Sequence, residues 1–250
     1  FFFADYMLIF CINFINLTIQ KYLKLPKNNY KLIIKYDGTG FCGWQSQTNG
    51  RTVQDEIESA LKIIFNNQDI SLIASGRTDA GVHASGQVAN VKINTKMPPS
   101  ELMRALNGNL CNSIFIDECN IVTDDFHSRF SAVKRRYEYF VVKKYTPFRK
   151  KYYWNINTKE INEQKLKDCA KIILGEHDFT NYSKNNPDID NKICYVYMSE
   201  WMFLSDKLVY VVEANRFLHH MVRYLVGTMI EVSKLNISID DFTSNLNPKN

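Results

Sequence analysis

The sequence contains no CxxC pair, and no histidine stands at zinc-ligand spacing beside its six cysteines (Cys11, Cys42, Cys111, Cys119, Cys169 and Cys194). That argues against a structural zinc site or a disulfide framework and for reduced, mostly buried thiols in a cytosolic protein. No GxGxxG or GxxxxGK[ST] pattern, Ser/His/Asp arrangement or haem site is present, so no phosphate cradle or cofactor is expected. With only 10 Gly and 6 Pro, collagen-like and Pro-rich scaffolds are excluded. Low complexity is confined to the polar run Ser183–Lys192. No basic residue precedes the apolar residues 1–19, and no small-residue cleavage site follows, so they do not read as a signal peptide. Asp5, Asn13 and Asn16 interrupt this stretch, which weakens it as a membrane span. Because the chain does not begin with Met, residues 1–27 are expected to be an extension outside the fold.

What remains is a globular sequence. An apolar fraction of 45% over 250 residues, with 13% aromatics, supports one large domain or two smaller ones with real cores. The net charge of +5 permits a polyanionic partner without requiring one.

Alternation predicts strands over Lys31–Tyr36, Leu72–Ala74, Val88–Ile93, Ile114–Val122 and Lys134–Val142, the last with Tyr137, Tyr139 and Val141 on one face. A hairpin is expected from Cys194–Leu204 and Lys207–Ala214. Helices are expected from Thr52, with a Thr52/Asp55 capping box; from Ser100 as cap to about Asn107; over Ile161–Leu174 with Gly175 as C-cap; and over Phe217–Val232. Strands with packed helices in two similar halves indicate an α+β fold, divided as residues 28–130, carrying an Asp-bearing loop, and residues 131–250.

Four stretches could carry chemistry. In Ser75–Ala84 (SGRTDAGVHA), Asp79 stands between two glycines and two residues from Arg77. That is a setting for a carboxylate nucleophile, or for an Asp that caps a turn, and His83 reads as structural. From Arg129 to Lys151, nine basic residues, Arg129, Arg135 and Arg136 among them, interleave with aromatics such as Phe130, Tyr137 and Tyr145. Cations for phosphates beside rings for bases suggest RNA, although a Lys/Arg-guarded strand edge would look similar. On the helix expected over Asn215–Val232, Arg216, His220, Arg223 and Gly227 would line one stripe, with Gly227 clearing room for a close neighbour. Finally, Asp37–Gln45 (DGTGFCGWQ) is either a ligand loop or a tightly packed turn.

Taken in order, YDGTGFCGWQ, TVQDEIESAL, SGRTDAGVHASGQVANV, FHSRFSAVKRRYEYFV, GEHDFTNYSK and NRFLHHMVRYLVGTMIEV resemble the tRNA pseudouridine synthase A family, from about residue 30 to 232. The resemblance implies two ferredoxin-like (RRM-like) halves, a mostly antiparallel sheet with flanking helices, and a basic cleft. It also implies a cytoplasmic homodimer that isomerises uridines 38, 39 and 40 of the tRNA anticodon stem-loop without cofactor, metal or membrane. By the same resemblance Asp79 is the nucleophile, Tyr137 packs on the target base, Arg223 pairs with the Asp, and Arg77 enters the RNA as the base turns out. Arg129, Arg135, Arg136, Tyr137 and His220 are the further expected substrate contacts. The alternative is an RRM-like RNA-binding protein without catalysis. The sequence departs from the family where Cys111 follows Leu110, and it ends at Asn250 where the family runs on to a last strand, so the second half reads as truncated.

Overall fold

Strand β1 (Lys27–Tyr36) begins four residues earlier than alternation alone suggested. Its residues Tyr30, Leu32, Ile34 and Tyr36 enter a core, while Lys31, Ile33 and Lys35 occupy the other face. The structure, a computed structural model, describes residues 26–248 except 67, 69, 146, 148, 149, 159 and 188. The apolar stretch 1–19, and with it the expected extension apart from residues 26 and 27, lies outside the described residues. So do Phe148 and Arg149 of the basic-aromatic stretch.

The chain divides into two compact units, up to Ser131 and from Ala132 onward. In the first, β1 is followed by α1 (Val53–Ile64), β2 (Leu72–Ala74), β3 (Ala84–Asn94), α2 (Pro99–Asn109) and β4 (Ile114–Val122). The strands pair in the order β2-β3-β1-β4, with all neighbours antiparallel. A β-α-β-β-α-β chain with this pairing is the split βαβ, ferredoxin-like arrangement.

Helix α1 starts where the capping box was expected: Thr52 Oγ1 accepts from Asp55 N and donates to the Asp55 carboxylate. Its buried face is Val53, Ile57, Ala60 and Leu61. Burying each such Leu or Ile contributes about 1.5–3 kcal/mol. Helix α2 corrects its expected start. Pro98 is the cap position and Pro99 opens the first turn, where a missing N–H costs nothing, so Ser100 is not the cap.

The second unit holds β5 (Arg135–Val142), β6 (Trp154–Asn155), α3 (Glu163–Ile172), β7 (Gly175–Asp178), β8 (Ile193–Phe203), β9 (Leu208–Ala214), α4 (Met221–Ser233) and α5 (Ile239–Ser244). Its sheet order is β6-β5-β9-β8-β7, antiparallel except for the short β5–β6 pairing. The antiparallel pairing expected for the fold is thus divided between a four-stranded and a five-stranded sheet. The β8–β9 hairpin closes where predicted, with Leu204 N donating to Lys207 O. Asn162 caps α3, its side chain accepting from Lys165 N. The helix ends at Ile172 with Ile173 as its C-cap; Gly175, with φ +92, instead turns the chain into β7.

The largest difference is at α4, which begins at Met221 rather than Phe217. His220 precedes it with φ 62, a left-handed conformation that no helix can pass through. Met221, Leu225, Met229 and Val232 point into the core as the apolar pattern required. Among the described residues no helix is long and apolar enough to cross a membrane.

Candidate active site

In the first unit, Asp79 lies in the loop between β2 and β3. Gln87 of β3 ties down the start of that loop: Ser75 Oγ donates to Gln87 Oε1 at 2.9 Å, and Gln87 Nε2 donates to Gly76 O at 2.7 Å. The middle is held by the other glycine-bearing segment, Asp37–Gln45. Trp44 N donates to Thr78 O (3.1 Å), Gly81 N donates to Phe41 O (3.3 Å), and the Tyr36 hydroxyl bonds Thr78 Oγ1 (2.8 Å). Two of the four sequence candidates are therefore one structure. The Asp37–Gln45 segment is the tightly packed turn, and what it packs against is the backbone that carries Asp79.

Two glycines permit this approach. A Cβ on Gly43 would sit 2.5 Å from Thr78 O, and one on Gly38 would collide with Val82 O. Trp44, 1% exposed, and Phe41 plug the turn from the core side. Val82 N donates to Asp79 O, closing a tight bend around Gly81, whose φ of +77 favours glycine. The half-buried Asp79 side chain is thus borne on a backbone held from two directions, and Arg77 is exposed two residues before it.

His83 is engaged with the neighbouring turn. Its Nδ1 accepts from Gly38 N at 3.1 Å and lies 3.1 Å from Asp37 Oδ1. Asp37 caps a local amide, accepting from Thr39 N.

In the second unit, strand alternation sorts the basic-aromatic stretch onto two faces. Arg135, Tyr137, Tyr139 and Val141 share the face toward the helices, while Arg136, Glu138 and Phe140 take the other. Tyr137 meets Phe217 edge-on, with ring centres 4.8 Å apart. Arg135 Nη1 donates to Asn215 O at 2.7 Å. Burial pushes the Tyr139 phenol above its usual range, and the positive charge of Arg223 opposes that rise, so these two groups feel each other.

Arg223 is exposed in the first turn of α4, and its Nη1 lies 3.2 Å from His220 Nδ1. The His220 ring stacks on His219 with centres 4.1 Å apart. The expected stripe therefore breaks up: Arg216 and His220 precede the helix, and Arg223 reaches His220 by folding back over the left-handed residue. Among the described residues no close neighbour stands at Gly227, where a Cβ would meet nothing within 4 Å.

On the opposite face Lys134 and Arg136 have carboxylate partners. Glu213 of β9, outside the stretch that drew attention in the sequence, pairs with Lys134 (2.5 Å) and Arg136 (3.3 Å), and Arg136 also pairs with Glu138 (3.1 Å). Those partners pull the Glu213 carboxyl below its usual range, Lys134 foremost. Lys207 stands over the Phe140 and Tyr153 rings. Only cross-strand register reveals these partners; residue order does not. Arg129, with its guanidinium 5.7 Å from the Phe130 ring centre, ends the first unit together with Ser131.

The family model described as tRNA pseudouridine synthase matches residues 32–131 and 169–250. The tRNA pseudouridine synthase A of Bacillus subtilis is 37% identical over 222 residues, covering 88% of this chain and 90% of that protein. That of Chlorobium limicola is 40% identical over 82% of this chain and 84% of its own length, and that of Brachyspira hyodysenteriae is 38% identical over 83% and 84%. The matched segments include the clamped Asp79 loop, the glycine-bearing turn beneath it and the whole of α4. Similarity of that extent, over both units, means that the chain belongs to the tRNA pseudouridine synthase family.

Proposed function

We propose that this protein isomerises uridine to pseudouridine in tRNA, at positions 38, 39 and 40 of the anticodon stem-loop, with Asp79 as nucleophile. Family membership supports an isomerase acting on tRNA. The observation that carries the residue assignment is the clamp on the Asp79 backbone, with Trp44 N and Tyr36 Oη both engaged on Thr78. Such preorganisation is what a covalent step requires, because a misplaced nucleophile forfeits its effective concentration.

A stacked uridine is out of reach, so the nucleotide must leave the helix, at a cost of a few kcal/mol. Arg77, exposed beside Asp79, fills the space the base vacates. Arg129, Arg135, Arg136 and His220 meet phosphates or bases. The carboxylate then bonds to C1′ as the glycosidic C1′–N1 bond breaks, or adds to C6 before that bond breaks. The freed uracil turns while Tyr137 holds its face. C5 bonds to C1′, the bond to Asp79 breaks, and the proton leaves C5, with Tyr137 assisting, while N1 gains one. Reactant and product have the same atoms, so no outside reactant is consumed. Arg223 supplies the positive charge that pairs with the carboxylate. We place the active form in the cytoplasm as a homodimer.

Incubation with an unmodified tRNA anticodon-arm transcript, followed by carbodiimide mapping, tests the reading. Pseudouridine is expected with the wild type and none with Asp79→Asn, which still binds the RNA. Equal product from both proteins would remove Asp79 from the chemistry. RNA binding without product from the wild type would favour a non-catalytic RRM-like binder.

A further inference from the structure

Beyond the end of β4 the chain folds back across the face of the first sheet that points away from the helices. Two asparagines on that face, Asn29 of β1 and Asn90 of β3, hold it there. Asn29 Nδ2 donates to Thr123 O and Phe126 O, both at 2.9 Å. Asn90 Nδ2 donates to Asn29 Oδ1 at 2.9 Å, and Asn90 Oδ1 accepts from Ser128 N at 2.9 Å. Asn29 is 1% exposed and Asn90 2%, so two amides have been taken from water to fix one short segment.

That segment ends in a small closed loop. His127 N donates to Ser131 Oγ and Ser131 N donates to His127 O. Inside it, His127 Nδ1 accepts from both Arg129 N (3.2 Å) and Phe130 N (3.3 Å), which locks the imidazole in one orientation. The Phe130 ring lies on that imidazole, with centres 4.3 Å apart and planes 31° apart, and the Arg129 guanidinium stands beside it. Phe130 is nevertheless 76% exposed. The chain thus presents a phenyl ring to solvent on a rigid mount, packed on a second ring and with a cation over it.

We propose that Phe130 is a stacking position for an unpaired base of the RNA substrate, with His127 as its support and Arg129 on the adjoining phosphate. An exposed ring with a guanidinium over it matches a nucleobase and its phosphate better than an aliphatic protein surface, because the partner then offers both a π face and a negative charge. The proposal rests on the RNA-modifying reading for its ligand, but its test measures binding and not turnover.

A labelled, unmodified tRNA anticodon-arm transcript is titrated against the full chain carrying Asp79→Asn, so that the RNA is not altered during the measurement. Adding Phe130→Ala is expected to weaken binding by about five- to a hundred-fold, the range of one lost base stack, without changing the dependence on salt. Arg129→Ala is expected to lower the salt slope by about one. In Phe130→Trp the new indole is expected to be quenched when RNA is added. Because Phe130 is exposed, none of these variants should shift the melting transition. Binding by Phe130→Ala as tight as the parent's, or an indole indifferent to RNA, would overturn the proposal. Unchanged RNA affinity with lost self-association in sedimentation would also overturn it, by assigning the ring to a protein contact. Absence of pseudouridine from the wild type would leave these binding outcomes standing, so the two readings fail separately.

Discussion

Ser128 shows how finely the polar interior of the first unit is divided. Its backbone N–H is spent on Asn90, yet its hydroxyl, 2% exposed, has no hydrogen-bond partner among the described residues. A buried hydroxyl without a partner forfeits its hydration for nothing. Ser128→Ala keeps the N–H and removes that loss, so it should raise the unfolding free energy by about 1 kcal/mol. Urea denaturation would measure it, and a lower midpoint would contradict this account. Sequence could not have singled out this residue. Asn29, Asn90 and Ser128 are far apart in the chain, and each alone reads as an ordinary polar residue. By contrast Asp79 was legible as a candidate, because a carboxylate between glycines is unusual locally.

At the scale of elements, the informative unit is a pair of loops. Both were visible as glycine-bearing breaks between strands and helices, but their contact was not, since nothing in Asp37–Gln45 specifies what it will touch. Gly43 and Gly81 separate the two reasons a glycine can be needed. Both have left-handed φ, +95 and +77, but only Gly43 is crowded, its Cβ position lying 2.5 Å from Thr78 O. Gly81→Ala should therefore cost about 1–3 kcal/mol, the usual cost of such backbone strain. Gly43→Ala should cost clearly more and displace the Asp79 backbone. Chemical denaturation of both variants gives the comparison, and equal losses would show that the loop–loop contact carries no weight. Helix α4 shows the opposite limit: its apolar period correctly gave the buried face, but periodicity continues smoothly through His220, whereas the backbone does not.

At the scale of the whole molecule, each unit buries its own core, and the cores contain thiols and phenols as well as hydrocarbon. Burial pushes the thiols of Cys119, Cys169 and Cys194 from 9.0 up to about 11. It also raises the phenols of Tyr182 and Tyr210, whose hydroxyls bond Phe242 O and Ser199 Oγ at 2.8 Å each. A folded-state value above the unfolded one means that the native state retains protons the unfolded chain has lost. The stabilisation is then complete below pH 9 and declines as the pH rises toward 11. The melting temperature should fall progressively across that interval, with thiol alkylation accelerating in parallel. A flat profile from pH 9 to 11 would show these groups to be accessible in the native state.

What the sequence by itself determined was whatever depends on neighbours in the chain. Strand and helix faces follow from period, the Thr52 cap from a three-residue spacing, and Asp79 as a candidate from its glycine flanks. Only the tertiary structure decided which loop holds Asp79, that Glu213 pairs with both Lys134 and Arg136, and that two buried asparagines mount Phe130. These contacts join residues up to 97 positions apart, as from Asn29 to Phe126. Side-chain hydrogen bonds act over about 3 Å, and that proximity is created by strand register and chain reversal, not by the order of residues.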